Sequence, residues 1–498
     1  MEGKNSNTVQ AFWVAIGSFS TFMVSIVSAA ILSRYFDKTD YGTYRQILFV
    51  YNTLLVIFTA GLPRIFEYYL PRYSKPQGKD IVFKVSKMLF FCGLAFSAVL
   101  YLCSDLIAIG LNNTELAMGL KYFSPIPMLL LPTLGIEGIF TSYKKTKYIA
   151  QYNVITRVLM LIGIVIPVIF FDGDYISAII GWGVTSVFIL IIGWYFKNIA
   201  FKDVTEYEKS NLSFKEIFVY SIPLVVASLA GIAIKSADQF YISRYFGPEV
   251  FAEYANGFME LPFVTMITGA TSAVIMPLFS KMFFLKEGTD NLVDTWCRAL
   301  IKSAIFIYPL VVFFIAFSQD IMTILYTSKY SMSGFYFQIN LVLNFFNIVI
   351  FAPLFFSMGK TRLYAQVHIV LAIFIWIFDF FLIKTYMSPI AIAISSTCLH
   401  ILKTFYFLFV ASKLLNVKFF KFFPIIELSK LAVHAGIIAF IVFIAAREYQ
   451  LSNHPLIQLS IYAGLYGVLV LATAPLFKID YWSNLLPIFK ILRNKVVH

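Results

Sequence analysis

The residues with chemical potential in this chain are charges set inside apolar runs. Four cations, Lys121, Arg157, Lys235 and Lys403, and four acids, Glu137, Asp238, Glu260 and Asp379, interrupt long hydrophobic stretches. Ionisable groups at that depth are costly, and they normally face a protein interior or a wet cavity. Cations placed this way bind anions, and acids placed this way can couple to a cation gradient. The competing reading is buried ion pairs that fix helix contacts. Ser228, Gly231, Lys235 and Asp238 share one helical face, since their spacing is three, four and three. A shift of 210 residues brings Ser18, Thr21, Ser25 and Ser28 into the same register. Two matching polar stripes are what a cavity between related helices requires. Small-residue packing explains the first stripe equally well, but it does not explain Lys235.

Depth sorts the charges. At the helical rise, Arg157 lies about 14 Å inside its apolar run, Lys235 about 12 Å and Glu260 about 10 Å. Arg157 is too deep to snorkel to the surface. Lys235 can reach Asp238 one turn along, or Glu260 on a neighbouring helix. Arg34 and Arg244 sit at the ends of related runs, where interfacial anchoring competes with substrate contact. Lys403 is also deep, but nothing in the sequence ties it to the stripes.

Other chemistry finds little support. Cys92, Cys103, Cys297 and Cys398 are scattered singly, and the five histidines do not cluster, so no metal site or disulfide framework is indicated. Gly359-Lys360-Thr361 lacks the earlier glycine of a phosphate-binding loop, because Leu354 stands there. No nucleophile–base pair stands out. The chain is therefore expected to be no enzyme and to need no cofactor.

The elements that carry these charges are membrane helices. The 498 residues are 60% hydrophobic and 13% charged, with mean hydropathy +0.80. Soluble domains run at about 45–50% apolar and about 25% charged. An all-α polytopic membrane fold follows, with 14 expected spans. They fall at 9–33, 45–66, 87–110, 116–142, 148–171, 175–196, 216–243, 253–280, 298–318, 333–358, 362–383, 388–412, 425–446 and 456–477. The first run is too long for a signal-peptide core and is expected to remain as a span. Lys and Arg concentrate in one alternating set of connectors that includes both ends of the chain, which places both termini in the cytoplasm. The net charge of +13 is then a topology signal and calls for no nucleic acid. In the fourth span, Pro125, Pro127 and Pro132 with Gly135 and Gly138 predict a broken helix.

The halves repeat. Ser33-Arg34-Tyr35-Phe36 and Tyr44 recur as Ser243-Arg244-Tyr245-Phe246 and Tyr254. Leu70-Pro71 through Ser74 recurs as Met276-Pro277 through Ser280, and Lys145 through Gln151 as Lys360 through Gln366. Each match falls at an equivalent span end, which indicates a duplicated six-helix unit. The expected organisation is an N-terminal lobe at 1–200, a linker at 201–215 and a second lobe at 216–415. Two added helices at 425–477 and a cytoplasmic tail at 478–498 complete it.

With Tyr41-Gly42-Thr43-Tyr44 following Ser33 through Phe36, and Asp238 through Arg244 preceding Tyr254, the chain resembles a known family. It is similar to the Wzx-type flippases for O-antigen and exopolysaccharide repeat units, in the multidrug/oligosaccharidyl-lipid/polysaccharide exporter superfamily. The resemblance implies an inner-membrane protein, acting as a monomer by alternating access, whose substrate is an undecaprenyl-diphosphate-linked oligosaccharide. Membrane lipids, a polysaccharide polymerase and glycosyltransferases of the same pathway would be its partners. Arg157, Lys235, Arg34 and Lys121 are the candidate diphosphate contacts, and Glu137, Asp238 and Glu260 the candidate coupling or ion-pair acids. The serine stripe with Ser228 and Gly231 would line the cavity. Rival readings are a cation-coupled multidrug exporter, which would usually need an acid in the first span, and a polysaccharide polymerase or ligase, which would need larger outer loops. A lipid II flippase would differ only in substrate.

Overall fold

Long apolar helices connected by short polar turns account for nearly the whole chain, and no strand occurs among the described residues. The structure, a computed structural model, describes residues 7–285, 288–483 and 486. The expected tail beyond Ser483 therefore lies outside the described residues, Leu486 apart. The helices start where their caps predict. Asp37, Ser74, Asp174 and Ser388 each accept a backbone N–H from the first turn that follows. The chain forms two compact units, Met1–Ala252 and Glu253–His498.

In the first unit, α1 (Asn7–Tyr35) is followed by α2 (Lys38–Thr59), which continues after a bend of 52° as Leu62–Arg72. Gly61 takes the left-handed conformation at that bend, with φ 67°. Next comes α3 (Lys75–Leu102). The fourth span is broken, as its prolines predict. It consists of α4 (Glu115–Phe123), α5 (Ile126–Leu130), a tight turn at Leu131–Thr133 and α6 (Ile136–Ser142). Leu134 is extended and Gly135 has φ 84°, so helical hydrogen bonding stops there. The fifth and sixth spans are α7 (Lys147–Phe170) and α8 (Tyr175–Ile199). Their backbones touch, because a Cβ on Gly181 would stand 2.0 Å from the Gly163 carbonyl oxygen. Small residues at such a crossing are the usual device of membrane helices.

The repeated motif residues pack in this unit. A Cβ on Gly42 would stand 2.1 Å from the carbonyl oxygen of Pro248, so only glycine fits. Buried Asn113 donates to Thr43 Oγ1 at 2.9 Å and to Gln46 Oε1 at 2.6 Å, and Gln46 donates to Ser243 Oγ at 2.7 Å. Ser243 belongs to α9 (Phe214–Gly257), which is kinked at Gly247 (φ 78°, ψ −179°).

The second unit contains α10 (Pro262–Phe284) and α11 (Thr289–Ala316). The tenth span is also broken, into α12 (Met332–Val342) with a turn at Leu343–Phe345, an irregular stretch at 346–350, and α13 (Phe351–Ser357). The sequence did not predict this break. Then follow α14 (Thr361–Tyr386), α15 (Pro389–Leu414), α16 (Ile425–Glu448) and α17 (Pro455–Thr473). Tyr466 donates to the Pro309 carbonyl at 2.8 Å, and His434 Nε2 lies 2.9 Å from Thr473 Oγ1, fastening the last two helices.

Eleven helices among the described residues are long and apolar enough to cross a membrane, or twelve if the bent second span counts as one. The expected number was 14. The expected tenth span is in two pieces, and part of the expected seventh, within α9, falls at 223–224 and 226–227 outside the residues whose side chains are described. The break shortens each piece of the tenth.

Candidate functional site

In the first unit the candidate centre forms around α7. Gly17 on α1 has no side chain where Asn153 of α7 sits, and an added Cβ would lie 2.8 Å from Asn153 Nδ2. That close fit holds α1 along α7. Asn153 then donates to Glu137 Oε1 on α6 at 3.0 Å. The break ahead of α6 puts Glu137 in its first turn, where a carboxylate favours the helix dipole. One turn beyond Asn153 is Arg157, about 15 Å along α7 from Lys147.

Arg157 is half-buried, and it donates to Met160 Sδ at 3.8 Å. Its charge is close enough to act on the hydroxyls of Tyr51 and Tyr152. Among the described residues it forms no ion pair with a carboxylate. Tyr51 is held by a stack on Phe96 (5.7 Å) and edge contacts with Phe123 and Trp182. The arginine thus carries its charge near two tyrosines without a direct carboxylate contact among the described residues, in surroundings where an anion would be held more strongly than at an aqueous surface.

The other sequence candidates are distributed as follows. Ser18 and Ser25 on α1 are exposed, and Thr21 and Ser28 are partly so. Thr21 donates to the Gly17 carbonyl and Ser28 to the Ser25 carbonyl. Lys121 pairs with Asp105 at 3.0 Å on an exposed corner, so its charge is already compensated. Arg34 is exposed and donates to the Ala30 carbonyl of its own helix. On α9, Lys235 is exposed while Asp238 is buried and accepts the Gln239 N–H at 2.9 Å. Ser228 is half-buried, and Gly231 has nothing within 4 Å of an added Cβ. Glu260 belongs to the second unit, exposed just before α10. Buried Asp379 on α14 accepts from Ser395 Oγ of α15 at 3.3 Å. The structure therefore draws Glu137, Asn153 and Arg157 into one neighbourhood and sets Lys121 apart.

Sequence reasoning missed a second polar place. The second unit holds an open cavity of about 380 Å3 between α10, the broken tenth span, α14 and α15. Lys403, His368, Thr268, Asn347, Tyr364 and Phe407 line it. The Tyr364, His368 and Phe407 rings lie 4.4–5.5 Å from one another. A signal existed: the offset of 215 that pairs Gln151 with Gln366 also pairs Asn153 with His368. Among the described residues no group of three His, Cys, Asp or Glu side chains stands together as a metal site would need.

Comparison with known proteins agrees with this architecture. A family model described as polysaccharide biosynthesis protein matches residues 9–283, more than half of the chain. No curated protein matches. Among solved structures, the lipid II flippase MurJ in an inward closed conformation shares the fold at TM-score 0.69. The identity is 16%, over 93% of this chain and 98% of that one. An inward-facing multidrug resistance transporter of the MATE family aligns at TM-score 0.61 and 13% identity, over 80% of this chain and 98% of its own. A MOP superfamily transporter from Pyrococcus furiosus, described as having a binding pocket of reversed polarity, aligns at TM-score 0.55 and 14% identity, over 82% and 95%. The fold is that of these transporters.

Proposed function

The chain belongs to the polysaccharide biosynthesis protein family, and from that membership we propose that it is a flippase for a polyprenyl-diphosphate-linked oligosaccharide. It would act in a bacterial cytoplasmic membrane with both termini inside, as a monomer, between glycosyltransferases that build the repeat unit and a polymerase that consumes it. The observation that carries the proposal is Arg157, a cation deep in a membrane helix that makes no direct ion pair among the described residues. A sugar diphosphate cannot cross hydrocarbon unaided, because its charges and hydroxyls would lose their hydrogen-bond partners. Arg157 would take the diphosphate, with Lys235 and Arg34 as further cations along the path. The exposed serines of α1, with Ser228 and Gly231, would face the headgroup while the polyprenyl tail stays in lipid. Transport would proceed by alternating access of two lobes. Glu137, Asp238 and Glu260 are the acids available to couple it to an ion gradient. Export of cationic drugs fits less well, since an unpaired arginine repels that cargo. Deletion of the gene should leave lipid-linked repeat units on the cytoplasmic side of the membrane and strip the cell of the corresponding polysaccharide. Unchanged surface polysaccharide would refute the proposal.

A further inference from the structure

The cavity of the second unit differs from the Arg157 neighbourhood in the kind of hydrogen bonding it offers. Thr268 donates its hydroxyl hydrogen to the Val264 carbonyl at 2.8 Å, Thr265 to Pro262 at 2.9 Å, and Thr404 to His400 at 3.1 Å. Each oxygen therefore turns only lone pairs toward the cavity. Asn347 gives one of its two amide N–H groups to Asn344 Oδ1 at 3.2 Å, and its own carbonyl oxygen stands as an acceptor beside the second N–H. His368 Nδ1 lies 2.9 Å from the Tyr364 carbonyl, which can only accept, so Nδ1 carries the proton and the neutral ring presents Nε2 as an acceptor. The wall is thus rich in acceptors. Donors are fewer, namely Ser272, Tyr364 and one Asn347 N–H, and Lys403 is the one cation among the lining residues, a poor match for a multiply charged phosphate.

A ligand with many donors is the complement. Sugar hydroxyls supply donors on the ring edge, and a pyranose has an apolar C–H face suited to the aromatic wall of Tyr364 and Phe407. About 380 Å3 lies at the small end of ligand sites, which run to about 300–1,000 Å3. That is room for a single sugar ring with its substituents, and the cavity is open, so the remaining rings of a repeat unit would project from it. Building on the flippase reading above, we infer that this cavity is a glycan subsite that takes one sugar ring of the cargo. Thr265, Thr268, Asn347, His368 and Thr404 accept from its hydroxyls, and Lys403 donates to a carbonyl or carboxylate substituent. The diphosphate is left to Arg157 in the other unit.

Gly269 provides a clean test, because it lines the cavity and an added Cβ there meets nothing within 4 Å. Gly269→Leu should fill the space without disturbing the packing. Gly464 on α17 is equally open, so Gly464→Leu is the matched control. Purified protein in nanodiscs would be titrated with methyl glycosides of glucose, galactose, mannose and N-acetylglucosamine, and separately with inorganic pyrophosphate, using saturation-transfer NMR. At least one glycoside should bind, at least tenfold more weakly to Gly269→Leu and unchanged for Gly464→Leu, while pyrophosphate binding is the same in all three proteins. Thr268→Val, which removes an acceptor at nearly constant volume, should weaken the glycoside severalfold. The inference is overturned if no glycoside binds, if Gly269→Leu binds it normally, or if Gly269→Leu loses pyrophosphate instead. Absent glycoside binding, with lipid-linked repeats still accumulating in the deletion strain, would remove this subsite and spare the flippase reading. Glycoside binding abolished by Gly269→Leu, in a protein whose deletion leaves surface polysaccharide intact, would keep the subsite and remove that reading.

Discussion

Lys197 donates from Nζ to the carbonyl oxygen of Pro132 at 2.7 Å. The same ammonium bonds Ser86 Oγ at 2.9 Å, and the residue is only 6% exposed. The fourth span is broken at this point, and a carbonyl freed from helical pairing needs a donor. The lysine supplies it at the cost of burying a charge. Lys197→Met removes both the two bonds and that buried charge, so the opposing effects should leave the thermal midpoint little changed. The local effect is larger: amide hydrogen exchange around 131–136 should rise at least tenfold. Unchanged exchange there would mean the lysine does not hold the break.

For Arg157 stability and activity should separate. Removing one partner of a buried ion pair typically costs about 3–5 kcal/mol, because the other charge is left unpaired. Arg157 has no such partner among the described residues, so Arg157→Ala should insert and melt much like the parent while translocation is lost. Arg157→Lys keeps the charge but not the fork, and should retain a fraction of the rate. Translocation in proteoliposomes checks both, and full activity in Arg157→Ala would end its assigned role.

Gly42 tests the motif packing. A methyl group there would meet the backbone of Pro248, which cannot swing aside as a side chain does. Gly42→Ala should destabilise by about 1–3 kcal/mol, as overpacking does. Gly110, with nothing within 4 Å, is the comparison, and Gly110→Ala should melt within a few tenths of a kcal/mol of the parent. Equal melting of the two variants would contradict the contact.

The polar segment between α8 and α9 gives a pH prediction. Lys75 bonds the Asp203 carboxylate and Lys145 lies 3.7 Å from it, and together they hold that carboxyl below its usual range. A lowered value means the clamp is intact above the ordinary carboxylate range and is lost only as the pH falls through the lowered value. Proteolytic cutting in 202–213 should therefore be flat between pH 7 and about pH 5, where the carboxyl stays ionised. Asp203→Asn should speed cutting throughout that interval, and a parent rate that climbs there would show the clamp is not what protects the segment.

Much of this could be read from the residue pattern, for identifiable reasons. Apolar length marks a membrane helix directly, so most spans fall where expected. Pro125, Pro127 and Pro132 remove helical donors in any context, so the break in the fourth span was visible. The tenth has only Pro353 near its break, and 346–350 unwinds because tertiary partners replace the lost bonds, among them Tyr308, which donates to the Phe345 carbonyl at 2.7 Å. The Arg157 neighbourhood was legible because a charge in an apolar run stands out. Its pairing pattern was not: Lys121 was grouped with the other cations of the apolar runs, and only the fold brings Asp105 within 3.0 Å of it. The cavity around His368 was hidden because its hydroxyls, amide and imidazole come from four separate stretches that only folding brings together.

The boundary between the compact units, after Ala252, falls inside α9 and not in a loop. A chain divided at that boundary would have to be cut through continuous helix. The available surface for division is instead the polar stretch at 202–213, and a piece ending there lacks the helix whose Ser243 takes the Gln46 amide and whose Pro248 fills the space beside Gly42. Two fragments separated at that stretch could each carry whole helices, yet the first would be an incomplete body until the second lent it its opening helix. Functional complementation by split halves would therefore depend on the second piece lending that helix to the first, and the first piece could not evolve as a free-standing transporter without replacing the borrowed element.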